Sequence, residues 1–157
     1  MNLPTELARH QRAVYFGGNW TSVNLQATLA DVSWREATTL RPGFNTIAAL
    51  LYHVDYHTGA VLGGLRGGPL TAKDAYTFNL PPVQSAGDWD ALRQQAGRQA
   101  ESLAALIEQL PESRLDEDLT DPKHGSYYRN LQGLVEHAHH LGQMVLLKKL
   151  LRPAGPS

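Results

Sequence analysis

The sequence predicts an all-α protein, a four-helix bundle with a kinked first helix and long connecting loops. Apolar residues recur at helical spacing in four segments, and no segment alternates in the manner of a strand. Two irregular connections separate the last three helices, as a bundle with crossover loops requires. With 157 residues the chain is long enough for one domain, 1–157, with a single substantial core.

The first helix opens in "LPTELARHQRAVYF", where Pro4 and Thr5 suit a helix start and Glu6 favours the first turn. Gly17 and Gly18 weaken it, and the pattern resumes through "TSVNLQATLADV", so a kink is expected there. Tyr15, Phe16 and Trp20 are expected to pack as core around that kink. The second helix follows Asn45, a plausible N-cap, through "TIAALLYHVDYHTGAVLGGL". The glycines of "GGLRGGPL" stop it. That stretch lacks the Gly-Lys-Ser/Thr of a phosphate loop.

The connection "GGPLTAKDAYTFNLPPVQSAG" is too long for a tight turn, and loops of this length often act as lids or binding elements. The third helix, "DWDALRQQAGRQAESLAALIEQL", is opened by Asp88 and closed by Pro111. After a second irregular stretch, whose Asp116, Glu117 and Asp118 read as a solvated loop, the fourth helix is expected from an N-cap at Asn130 to Pro153. Tyr127 and Tyr128, just before it, are placed for core packing or for a pocket mouth.

Composition excludes several functions. The net charge is −1 with no basic stripe, which argues against nucleic acid as a partner. There is no cysteine, so thiolate metal sites, disulfides and cysteine nucleophiles are excluded, and any thiol chemistry must use a small-molecule thiol. No apolar run reaches a membrane span. The opening "MNLPTELARHQ" is polar where a signal peptide is basic and then apolar, which predicts a cytoplasmic protein.

The histidines carry the functional signal. "LVEHAHHLGQMVLLKKLL" holds His137, His139 and His140 within four residues, and His53 and His57 lie one turn apart on the second helix. His137 and His140 fall in line with the core positions Met144, Leu147 and Leu151, whereas Glu136, His140 and Gln143 form a more polar stripe. The small residues Ala49, Ala60 and Gly64 beside His53 leave room for a ligand. A lone histidine on an apolar face is commonly a hydrogen-bonded core residue. Two helices that each present a pair favour a His/carboxylate metal site. Spacing leaves open whether His53 or His57, and whether Glu136 or His137, completes it.

"FNTIAALLYHVDYH" and "HHLGQMVLL" resemble the DinB-like superfamily, the bundle group that includes bacillithiol transferases and the mycothiol-dependent maleylpyruvate isomerase domain. "VYFGGNW" with "GGPLTAKDAYTF" resembles a bacterial subgroup of it. The resemblance implies a metal held by one histidine of the second helix and a His-x-x-x-His pair of the fourth. Carried over, the positions fall on His53, on Glu136 where the family has histidine, and on His140, with His137 as the alternative nitrogen donor. The implied cofactor is a divalent ion, zinc or nickel, with positions left open for substrate. Gln143 is then expected to contact substrate or orient His140, and His57 to lie at the substrate side. The implied partners are a low-molecular-weight thiol, a small electrophile and a second copy of the chain in a homodimer. The implied activity is metal-dependent thiol transfer. The alternative is a non-catalytic, stress-associated bundle that binds metal weakly or not at all.

Overall fold

The protein is described by a computed structural model covering residues 2–152. Its helices are α1 (Leu3–Phe16), α2 (Leu25–Leu29), α3 (Trp34–Thr38), α4 (Ile47–Leu65), α5 (Ala86–Glu108), α6 (Tyr127–Glu136) and α7 (Ala138–Leu151). Among the described residues there is no strand, and no helix is long and apolar enough to cross a membrane. The described residues are all-α, with seven α-helices where the sequence pattern suggests four: the first and last expected helices are each divided, and α3 forms in the stretch after the first.

The first division follows from backbone sterics. Gly17 and Gly18 adopt φ of 110° and 94°, values that L side chains avoid, so α1 ends there instead of bending. Asn19 secures the turn by donating to the carbonyls of Ala13 (3.0 Å) and Val23 (2.7 Å). Only a five-residue helix, α2, resumes after it, capped by Asn24. The expected aromatic cluster does not form: Tyr15 is buried, Phe16 is 38% exposed and Trp20 projects fully into solvent. The loop that begins at Gly17 turns the Trp20 side chain into solvent.

Caps set the other boundaries. Thr46, not Asn45, caps α4 by accepting from the Ala49 amide. Ser85, three residues before Asp88, caps α5, and the Asp88 carboxylate answers by accepting from Gln84 N and Ser85 Oγ. α6 is capped by Ser126, four residues before the expected Asn130, while Asn130 uses its amide to tie down the carbonyls of His124, Gly125 and Ser126. Tyr127 is buried there and Tyr128 is exposed. Pro153, the expected stop, lies outside the described residues.

α5 packs along both α1 and α4; α7 covers α4, and α6 rests on α1 and α4. The core has two parts. One gathers Leu25, Leu29, Ile47, Leu51, Trp89, Met144 and Leu147. The other gathers Ala8, Val61, Leu62, Leu103, Ile107, Leu119 and Leu131. Along α4 the first ends at Val54 and the second begins at Val61. The turn between them is polar on two sides. Towards α5, the buried Asp55 accepts from Gln95 Nε2 (2.6 Å) and Gln99 Nε2 (3.3 Å), and Thr58 meets the Tyr15 hydroxyl at 3.2 Å. Burial pushes the Asp55 carboxyl up to about 6, against the opposing Gln95 hydrogen bond. The other side carries His53 and His57.

Candidate metal centre

His53 and His57 are one helical turn apart on α4, with ring centroids separated by 4.9 Å. A third histidine arrives from the junction of α6 and α7. There His137 keeps helical dihedrals (φ −60°, ψ −13°), but the hydrogen bonds tighten to three-residue closures. His137 N donates to Leu134 O (3.2 Å) and His140 N to His137 O (3.0 Å). In such a turn residues three apart eclipse one another. Leu134, which is buried, His137 and His140 therefore fall in one inward row. The His137 ring lies 5.5 Å from that of His53 and 5.1 Å from that of His57.

His53, His57 and His137 each offer one ring nitrogen, and the three nitrogens lie within 4.8 Å of one another. They could hold a metal ion. His140 adjoins them, its ring centroid 4.7 Å from His53 and 5.9 Å from His137. Its Nδ1 meets Gln143 Oε1 at 2.7 Å; a carbonyl oxygen can only accept, so Nδ1 carries the proton and the neutral ring keeps a lone pair on Nε2. His139 faces outward, with Nδ1 2.6 Å from the Glu136 carbonyl oxygen.

The same tightened turn sets where the Glu136 side chain lies. The Glu136 side chain is exposed and lies outside the histidine group, because it sits off the Leu134–His137–His140 row. The reading that pairs Glu136 with His140 assumes an unbroken α-helix, in which residues four apart align. His57, expected at the substrate side, is within the group, and Gln143 touches His140.

The long connection before α5 contributes two residues that the sequence reading passed over. Thr77 is buried, with its hydroxyl 2.6 Å from His53 Nδ1 and 3.0 Å from His57 Nε2. Phe78 stacks on His53 at 4.6 Å with an interplanar angle of 11°. The loop is fastened by the Tyr56 hydroxyl, which accepts from Lys73 N at 3.0 Å. Its length marked it as a binding element, but a single threonine in an aperiodic stretch gives no signal of its own.

Burial governs the charge state. Desolvation, reinforced by repulsion from the neighbouring imidazoles, lowers His137 to about 3 and His53 to about 4. His57 and His140 are lowered too, chiefly by desolvation, with Asp74 opposing at His57 and the Gln143 bond opposing at His140. All four rings are neutral at pH 7, the form in which imidazole binds metal. His137 Nδ1 is buried without a hydrogen-bond partner in the protein. Orphaned buried polar atoms are costly, and a cation is one partner that would remove the cost. The residues present fit a metal.

The sequence profile of the DinB superfamily matches residues 2–144. No curated protein and no solved structure matches the chain. The profile spans all seven helices up to the middle of α7 and includes every histidine of the group. The chain belongs to the DinB superfamily.

Proposed function

We propose that this protein is a metal-dependent enzyme that joins a low-molecular-weight thiol to a small electrophile, with zinc or nickel held by His53, His57 and His137. The observation that carries the reading is the unpartnered, buried Nδ1 of His137 beside two other neutral imidazoles. A divalent cation there would lower the pKa of a nearby thiol and keep it as the nucleophilic thiolate at neutral pH.

The chain's own residues divide the remaining work. His140, fixed by Gln143 with its Nε2 lone pair free, accepts the proton of the incoming thiol. Thr77 orients His53 and His57 through its hydroxyl, and Phe78 covers the His53 ring. The sulfur then forms a bond to the electrophilic carbon, and the leaving group departs with its electron pair. Exposed Leu146 and Leu150 on α7 offer an apolar face for the homodimer, and a cytoplasmic location supplies the thiol.

One observation favours the alternative, a bundle that does not bind metal. Thr77 already engages a nitrogen of both His53 and His57. Elemental analysis of purified protein separates the two readings. About one equivalent of zinc or nickel, lost in His137→Ala, is expected, together with metal-dependent conjugation of a thiol to 1-chloro-2,4-dinitrobenzene. Metal-free protein that takes up neither ion on titration establishes the non-catalytic reading.

A further inference from the structure

A second cavity, of about 410 Å³, opens between α1, α2 and α5, with Leu51 of α4 at its base. None of the four histidines of the candidate metal centre lines it. Its volume is within the range of small-molecule sites. Tyr15, Phe16, Leu25 and Leu29 give it an apolar and aromatic wall, and Arg93 and Arg98 stand along the α5 side.

The charge along that side is unbalanced. Arg93 pairs with Asp90 and donates to the Leu29 carbonyl at 3.1 Å, but its Nε is buried without a hydrogen-bond partner in the protein. Arg98, also lining the cavity, makes no ion pair among the described residues. Two guanidinium groups and one carboxylate, Asp90, thus line the cavity, while Arg98 also acts on the buried Asp55 carboxyl. A carboxylate entering the cavity would give Arg98 the ion pair it lacks, and guanidinium groups suit a carboxylate.

Gly97 is the second sign that the space is kept open. It lies within the 23-residue α5, where glycine costs a helix about 1 kcal/mol relative to alanine. Packing does not demand it. A Cβ at Gly97 would meet nothing nearer than Phe16 Cε1 at 3.9 Å, an ordinary contact. The glycine leaves room between α5 and Phe16 that a larger side chain would fill.

We infer that this cavity is a second ligand site, for a small carboxylate with an apolar or aromatic body, held by Arg93 and Arg98 over the floor left by Gly97. It stands apart from the histidine cluster and does not depend on metal there.

Titration of the full-length protein with 4-phenylbutyrate, followed by amide NMR, tests this. Saturable shifts at Arg93, Ala96 and Gly97 are expected, and they should persist in His137→Ala. The uncharged 4-phenylbutyramide should bind about tenfold more weakly. Gly97→Leu should weaken the acid about tenfold or more while the protein stays folded, as judged by its thermal melt. Gly97→Ala should melt higher than the parent and still bind. Equal binding of acid and amide, shifts confined to the histidine cluster, unaltered affinity in Gly97→Leu, or no saturable binding would each overturn the assignment.

Discussion

After Phe16 the backbone turns through Gly17 and Gly18 at positive φ, while at His137 it stays in the helical region and only its hydrogen bonds tighten. The first interruption ends α1 and leaves Trp20 in solvent before α2 returns to the core. The second keeps the chain on the bundle and changes which residues face inward. A helix can therefore be broken to discard a side chain or re-phased to recruit one. Only the first kind is announced by residue type.

The largest effect expected from this contrast is on metal. His137→Ala should weaken zinc or nickel binding by more than about 100-fold, beyond the 10–100-fold typical of losing an outer-shell partner. Isothermal titration of metal-free protein would measure it. His137→Leu should lose metal equally yet raise the melting temperature of the metal-free protein, because it removes an orphaned buried nitrogen. A lower melting temperature would mean that His137 has a structural partner.

Acid should act in the same direction as that nitrogen. Unfolded histidine takes up its proton near pH 6.5, whereas the folded chain delays it to about 4 at His53 and about 3 at His137. Between these values the unfolded state binds more protons, so acidification favours unfolding. The urea midpoint of metal-free protein should be fully maintained above pH 6.5 and fall as pH drops from there towards 3. His137→Leu should flatten that fall, and an unchanged slope would place the titration elsewhere.

At the other interruption the effect is on stability alone. Gly17 combines φ of 110° with ψ of 175°, a conformation nearly confined to glycine, and a Cβ would lie 3.2 Å from Asn24 Nδ2. Gly17→Ala should cost about 1–3 kcal/mol in chemical denaturation without altering metal affinity. The smallest effects belong to the exposed residues. Trp20→Ala and Glu136→Ala should each change stability by less than ~0.5 kcal/mol, and Glu136→Ala should leave metal binding intact. Loss of metal in Glu136→Ala would restore the carboxylate as a ligand.

Much of the fold could be read from periodicity. The long helices α4 and α5 lie where their apolar residues recur, because burial of one face is a local pattern repeated every turn. Their starts, and that of α6, lie a few residues from where spacing puts them, since Thr46, Ser85 and Ser126 compete with nearby asparagine and aspartate for the same capping role. The pairing of His53 with His140 was also legible, from two faces that a bundle brings together. Thr77 and Phe78 were not, because an aperiodic loop can fold back over α4 by many routes.

The sequence by itself determined the helical class, the absence of cysteine ligands and nucleophiles and the two histidine-bearing segments, since each depends on residue type and on spacing within one turn. Only the tertiary structure decided that His137 and not Glu136 turns inward, that Thr77 bridges His53 and His57, and that a cavity stays open beside Gly97. The change from four-residue to three-residue closure at His137 shifts the facing row by one position. Nothing in the local sequence marks that shift, because no glycine or proline is needed to make it.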